Sequence, residues 1–273
     1  NEQMKYQNEV FIFISKNSTY WSNFLKKKNI KIFKSKHFNE ENFFNILIKF
    51  VKDVNYLVKL LNKYKPDVLH AHLPYMEIVT FISIFFLNYK PKFIITKHVD
   101  SDFFRGSRDQ NKTLYGSIIS KIISSKSHKV IAISYAVKNF FVDNYFSIKN
   151  EKIKVIYYGL DNLDILSRKN KKIILNSKNK KNTLVIGCIA RLVPQKSIDN
   201  LINSLLFIKD LDIKLIIIGK GPLEKKLKNY AKKMNLESKI LWIKFIDDLK
   251  NFYKVIYIFV LTSKFEGLGL VFL

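Results

Sequence analysis

A chain of 273 residues, 48% of them hydrophobic, can build one large domain or two ordinary ones with real cores, which excludes a disordered polypeptide. Its formal net charge of +26 is spread along the chain: residues 1–160 carry 26 Lys+Arg against 12 Asp+Glu, or +14, and the remainder 22 against 10, or +12. Only four cations are arginines (Arg105, Arg108, Arg168 and Arg191), although arginine is the residue suited to bidentate contact with phosphates and base edges, so nucleic acid is not an expected partner.

In chain order, short β-rich apolar runs alternate with segments of helical period, the pattern of parallel sheets covered by helices. Strands are predicted at 10–14, 30–33, 68–71, 93–96, 130–133 and 155–157. Helices are predicted at 41–64, 75–87, 114–124 and 135–145. The run 78–87 is the longest apolar stretch and about half of what a membrane crossing requires, so it reads as a core helix first and a membrane-surface helix second. No signal-peptide pattern precedes it. The residues from 161 to 182 are polar and crowded with Arg168, Lys169, Lys171, Lys172, Lys178, Lys180 and Lys181, which marks a linker at 165–182 between domains at 1–164 and 183–273. The alternation then resumes, with strands predicted at 184–190, 214–218, 240–243 and 257–261 and helices at 198–209, 222–234 and 248–254. The sole cysteine, Cys188, falls inside an apolar run and reads as a buried small residue; disulfides within the chain are excluded, which suits the cytoplasm.

Two doubly wound halves joined by a linker are expected to form a cleft. Both halves read as incomplete, because no strand and glycine loop precede the first strand and the last residues stop where a helix should begin.

Ligands of open parallel sheets bind at the carboxyl ends of the strands, so the loops after the strands of the second half are the candidates. In the first, Arg191-Leu-Val-Pro-Gln-Lys196-Ser, two cations lie between a strand and a helix that Ser197 could cap. They suit a departing nucleotide diphosphate, which gains charge as its bond to the sugar breaks; the plain alternative, two solvated surface cations, weighs most on Lys196. The second, Gly219-Lys-Gly221-Pro222-Leu-Glu, could bring its backbone close to an anion ahead of a helix with Pro222 near its first position. It could equally be a tight strand-to-helix connection. In the third, Lys264-Phe-Glu266-Gly267-Leu268-Gly269, a carboxylate would repel a diphosphate, so Glu266 fits sugar hydroxyls, or else simply favours a helix N-terminus.

The trio of loops resembles the donor-binding half of glycosyltransferase family 4. The segments Ile186-Gly-Cys-Ile-Ala-Arg-Leu-Val-Pro-Gln-Lys196, Ile216-Ile-Ile-Gly-Lys-Gly-Pro-Leu-Glu224 and Phe259-Val-Leu-Thr-Ser-Lys-Phe-Glu-Gly-Leu-Gly-Leu-Val-Phe-Leu273 carry the resemblance. Asp67-Val-Leu-His-Ala-His72, Val130-Ile-Ala-Ile-Ser-Tyr-Ala-Val137 and Ile153-Lys-Val-Ile-Tyr-Tyr-Gly-Leu-Asp161 look like the acceptor half. The resemblance implies an α/β GT-B architecture, two Rossmann-like domains facing across a cleft, and retaining transfer of a sugar from a nucleotide-sugar donor to a glycan or lipid-linked acceptor in cell-envelope polysaccharide synthesis. It implies that Arg191 and Lys196 neutralise the donor diphosphate without a metal. Glu266, with the amides of Gly267, Leu268 and Gly269, would hold the donor sugar, beside Gly219, Gly221 and Pro222. It also places His98 near the reacting sugar, for positioning or proton transfer, against a merely structural loop histidine.

Three departures stand out. The second glutamate of the family's paired motif would fall eight positions after Glu266, one past Leu273. Ser197 stands where glycine is usual after the lysine, and Lys244 where glycine usually precedes the segment Phe245-Ile-Asp247-Asp248. His70 and His72 are expected to face opposite ways across a strand end and so to form no metal clamp. Asp100-Ser-Asp102 mimics the metal-binding pair of another glycosyltransferase architecture, but in the wrong half. A basic surface also suits contact with anionic lipid at the inner face of a membrane. The rival readings are a sugar-nucleotide epimerase of the same fold and a non-catalytic basic protein bound to membrane or nucleic acid.

Overall fold

The computed structural model describes residues 9–15, 25, 30–35, 43–99, 110–144, 148–159, 183–246 and 249–266. The chain divides into two compact units, Asn1–Tyr157 and Tyr158–Leu273. The predicted linker and the segment Asp100-Ser-Asp102 lie outside the described residues.

The first unit opens with a parallel pair, β1 (Phe11–Ile14) and β2 (Lys31–Lys34), in register Phe11 opposite Lys31. Helix α1 (Phe43–Tyr64) buries Val54, Leu57 and Leu61 at helical spacing and sets Tyr64 against Phe11 and Phe33, with ring centroids 4.8 and 5.3 Å away. A four-stranded parallel sheet follows in simple chain order: β3 (Val68–His72), β4 (Lys92–Lys97), β5 (Lys129–Ala132) and β6 (Ile153–Val155). The crossovers are α2 (Pro74–Ile84), α3 (Gln110–Lys126) and α4 (Tyr135–Asn144). Alternate strand residues Leu69, Ala71, Phe93, Ile95, Val130 and Ala132 are buried, as a parallel sheet beneath helices requires. The predicted core helix at 78–87 is α2, which ends at Ile84 and leaves Phe85 and Phe86 exposed. The strand expected at 155–157 sits two residues earlier: Ile153 pairs with Val130, and by Tyr157 the chain is out in solvent.

Charged side chains lie inside this unit. Lys97, at the end of β4, donates to the Glu77 carboxylate of α2 at 2.5 Å and to Ser120 Oγ of α3 at 3.2 Å, and both members of the ion pair are almost wholly buried. Burial pushes the Glu77 carboxyl above the usual carboxylate range, and the Lys97 ammonium pulls it back. Asp53 of α1 is buried too and accepts from Ser35 Oγ at 2.5 Å, Lys49 Nζ at 2.9 Å and Tyr75 Oη at 2.7 Å, which ties α1 to α2.

The second unit is one parallel sheet of β7 (Leu184–Ile189), β8 (Ile213–Ile218), β9 (Ile240–Ile243) and β10 (Ile258–Phe259), in the order β10-β7-β8-β9. Along β8, Leu215 and Ile217 join a core with Ile202, Leu205 and Leu227, while Ile216 and Ile218 join Val185, Phe252 and Val255 on the other face. Both faces are therefore covered. Helices α5 (Ile198–Ser204) and α6 (Glu224–Lys233) supply the first core and α7 (Leu249–Val255) the second, giving the doubly wound arrangement read from the sequence. The helix expected at 198–209 splits, with a 3₁₀ turn at Leu205–Ile208 after α5. Cys188 is fully buried and desolvation raises its thiol to about 12, so it is a packing residue, as expected. Among the described residues no helix is long and apolar enough to cross a membrane.

Candidate active site

In the second unit the strand order reverses at β7, which has β8 on one side and β10 on the other. Such a switch point separates the loops at the carboxyl edge and opens a crevice there. The loops after β7, β8 and β10 are the three picked from the sequence.

Their backbones are bonded into one block. Ala190 N–H donates to Ile218 O at 3.0 Å, Leu192 N–H to Lys220 O at 3.0 Å and Leu223 N–H to Leu192 O at 3.1 Å, which joins the first loop to the second. Lys264 N–H donates to Gln195 O at 2.8 Å and the Gln195 side-chain amide to Phe265 O at 3.0 Å, which joins the first to the third. Thr262 Oγ1 lies 3.0 and 2.8 Å from the carbonyl oxygens of Lys196 and Ser197 and donates to this pair. Gln195 and Thr262 were not singled out in the sequence; only their place in the two loops hints at this clamping.

Lys196 Nζ donates to Glu266 Oε1 in an ion pair spanning 70 residues of sequence, with both side chains mostly withdrawn from solvent. Arg191 stands exposed at the end of β7 and has no acidic partner among the described residues. The first loop therefore holds one cation already matched by a carboxylate and one that is not. Ser263 Oγ, next to Thr262, is buried without a hydrogen-bond partner among the described residues, a state that costs free energy unless a ligand or water completes it. Gly267, Leu268 and Gly269 lie outside the described residues.

The glycines of the second loop serve the protein itself. A Cβ on Gly219 would sit 1.9 Å from Ala190 O, and one on Gly221 2.3 Å from Leu192 O; Gly219 also has φ 155°. Close approach of loop to loop is thus what these positions require, the tight-connection alternative. Gly219→Ala should destabilise the unit by about 1–3 kcal/mol through overpacking, whereas Gly159→Ala, with open space around it, should be near neutral; urea unfolding followed by circular dichroism compares them. Pro222 is not at the helix start: it follows Gly221 in a turn closed by Glu224 N–H to Gly221 O at 3.1 Å, and α6 begins at Glu224.

Ser197 does not cap α5. It adopts a left-handed conformation, φ 47° and ψ 43°, with no side-chain cap bond. This backbone is the physical reason a glycine suits the position after Lys196.

In the first unit the expectation for His70 and His72 is overturned. Strand side chains alternate with a period of two, so residues two apart share a face; the two rings stack at 4.2 Å between centroids. His72 Nδ1 lies 3.2 Å from His98 Nε2, and His70 Nε2 lies 2.7 Å from Thr96 Oγ1. His98 is thus part of a cluster at the carboxyl ends of β3 and β4. Among the described residues no group of three or more His, Cys, Asp or Glu is placed to hold a metal ion.

Burial, then His72 and His98, push His70 down to about 4, and burial, then His72 and Lys97, do the same to His98; burial lowers His72 as well. In the unfolded chain such rings take up protons near pH 6.5, whereas in the fold two of them do so only near pH 4. Between those values the unfolded chain binds more protons, so stability present above about pH 6.5 is lost as pH falls towards 4. Thermal melts of the native protein should therefore shift down across that window more than those of a His70→Asn/His98→Asn variant; parallel shifts would contradict the buried neutral rings.

Comparison with known proteins agrees with this architecture. Residues 11–162, more than half of the chain, match the profile of Glycosyltransferase Family 4, and residues 168–273 match that of Glycosyl transferases group 1. An uncharacterized glycosyltransferase of Methanocaldococcus jannaschii is 33% identical over 160 residues, 58% of this chain and 40% of the relative. The UDP-Gal:alpha-D-GlcNAc-diphosphoundecaprenol alpha-1,3-galactosyltransferase of Escherichia coli is 28% identical over 235 residues, 83% of this chain and 59% of the relative. The chain therefore spans less than two thirds of either. The crystal structure of HepE from Anabaena in complex with UDP and glucose superposes with a TM-score of 0.72 at 17% identity, over 97% of this chain and 77% of that one, a likeness of fold. With both units α/β, parallel and matched in this way, the chain belongs to glycosyltransferase family 4 and has the two-domain Rossmann-like GT-B fold.

Proposed function

We propose that the protein transfers a sugar from a nucleotide-sugar donor to a lipid-linked or polysaccharide acceptor, with retention at the anomeric carbon, in the synthesis of cell-envelope glycans. The observation that carries this reading is the convergence of the Arg191–Lys196, Gly219–Pro222 and Glu266 loops on one sheet edge at a switch point, bonded into a single block. The named specificity of the Escherichia coli relative for a diphosphoundecaprenol-linked acceptor, and UDP and glucose in the Anabaena structure, support the donor and acceptor classes.

In this reading Arg191 faces the donor diphosphate and stabilises the charge that grows as the sugar–phosphate bond breaks, the part a metal ion would otherwise play. Lys196 contributes to the same field and positions Glu266 through their ion pair, so that the carboxylate can accept hydrogen bonds from sugar hydroxyls. The Ser263 hydroxyl, without a hydrogen-bond partner among the described residues, offers a further contact to the donor. His98, neutral at physiological pH, is suited to hydrogen bonding with the transferred sugar or to moving a proton from the acceptor. The work is expected at the cytoplasmic face of an anionic membrane.

Isothermal titration of the protein against a panel of nucleotide sugars tests the reading. At least one should bind and be displaced by its free nucleoside diphosphate; heat with none of them would overturn donor use.

A further inference from the structure

Helix α3 carries aliphatic side chains on its outer face as well as its inner one. A helix over a sheet normally faces its aliphatic stripe to the core and its polar residues to water. Here Ile123 is buried beside Gly116, Ser120 and Ser124, both serines at 0% exposure, while Leu114, Ile118 and Ile122 are 60%, 45% and 47% exposed. Their i, i+4, i+8 spacing sets them in one outward row. The serines of the inner face have a structural reason, because Ser120 Oγ receives the buried Lys97 ammonium. The outward row has none among the described residues.

One turn further along the same row is Lys126, which joins Lys129 and Lys152 at the end of the helix. Lys152 Nζ donates to Ser125 O at 2.5 Å and Lys129 Nζ to Glu151 O at 3.3 Å. Burial and then the neighbouring charges of Lys126 and Lys129 lower the Lys152 ammonium, a sign of crowded positive charge. Among the described residues none of the three forms an ion pair. An aliphatic row ending in unmatched ammonium groups calls for a partner that is apolar within and anionic at its rim.

We propose that this face of α3 lies on an anionic lipid bilayer, with Leu114, Ile118 and Ile122 entering the boundary of head groups and acyl chains and Lys126, Lys129 and Lys152 meeting lipid phosphates. A second copy of the chain fits poorly, since its own net charge of +26 would meet the same cluster. The helix crosses from β4 back to β5, so its lysine end is at the amino edge of the sheet, where His128 N–H donates to Phe93 O at 2.7 Å. Its Leu114 end runs towards the opposite edge, the one that carries His72 and His98. A bilayer along α3 would deliver a lipid-borne acceptor to that edge, yet the binding itself does not depend on the donor reading.

The test is sedimentation of the full chain with vesicles of phosphatidylcholine alone and of phosphatidylcholine with phosphatidylglycerol. About 0.5 M salt, where the screening length is only a few ångströms, suppresses diffuse attraction of so basic a chain. At that salt the native protein should still sediment with the phosphatidylglycerol vesicles. The triple variant Leu114→Ser/Ile118→Ser/Ile122→Ser should bind at least about tenfold more weakly, from the apolar area it no longer buries, while Phe207→Ser, at an exposed phenylalanine of the second unit, should bind as the native protein does. Equal binding by the triple variant at high salt would overturn the proposal. So would light scattering that finds a native dimer and a monomeric triple variant, which would assign the face to a second copy. Nucleotide-sugar titration of the same triple variant should be unchanged, so loss of lipid binding with donor binding intact separates this inference from the donor reading.

Discussion

Lys97→Met should lower the unfolding free energy of the protein by about 3–5 kcal/mol, the usual cost of leaving one member of a buried ion pair without its partner. Lys97 joins four elements: it ends β4, pairs with Glu77 of α2 and bonds Ser120 of α3, and its ammonium lies 5.3 Å from the Phe141 ring centroid of α4. Methionine keeps the stem and removes the charge, so the effect reports the Glu77 carboxylate stranded away from water. The second substitution Glu77→Leu should recover most of the loss, because an apolar pair of similar volume replaces a buried ionic one at little cost. Urea denaturation of the two variants at neutral pH measures both values. A single-variant loss below about 1 kcal/mol, the range of exposed pairs, would show that water reaches this pair.

Arg191→Ala should reduce sugar transfer by about 10²–10³ in kcat, the effect of removing one preorganised group that stabilises developing negative charge. It should also weaken binding of free nucleoside diphosphate more than Glu266→Ala does. The reason is in the pairing: Lys196 is matched by Glu266, while Arg191 has no acidic partner among the described residues. Glu266→Ala, by contrast, frees Lys196 to meet the diphosphate, so it should harm binding of the sugar more than binding of the nucleotide. Titration with nucleotide sugar and with free diphosphate separates these effects, and the reverse ranking would overturn the two roles.

Much of the fold was legible because both four-stranded sheets bury alternating or continuous apolar strands between helices of clear period, as in the run Lys-Leu-Ile-Ile-Ile at 214–218. The loops of the candidate site were legible because each follows such a strand directly. What was hidden depends on tertiary contacts. The carbonyls of Ala190 and Leu192, which make Gly219 and Gly221 necessary, belong to a loop some thirty residues away in sequence. The left-handed backbone of Ser197 left one trace, a serine where the resemblance expected glycine. The histidine error had another source: the period of two was misapplied to residues two apart, and the stacked rings of His70 and His72 correct it. The Lys97–Glu77 pair did leave a signal, a lone lysine closing the apolar strand Phe-Ile-Ile-Thr-Lys and a lone glutamate inside the apolar helix Tyr-Met-Glu-Ile-Val. The two meet as a buried ion pair. The period of α3 marks it as a helix, but a segment with isoleucines on two faces does not show which of them turns inward, where Ser120 meets the buried lysine.

The position of β10 bears on how the protein is made. Its two residues, Ile258 and Phe259, pair with Ile186 and Gly187 of β7, the first strand of the second unit. While the ribosome is still extending the chain, β7 can gain β8 and then β9 beyond it, but its other edge stays bare until residues past 259 have left the exit tunnel. A nascent chain stalled in that interval presents an unpaired edge, the kind that invites pairing with other chains and engages chaperones. Glu266 lies beyond β10 in sequence, so the Lys196–Glu266 ion pair can form only once residues past that strand have been made.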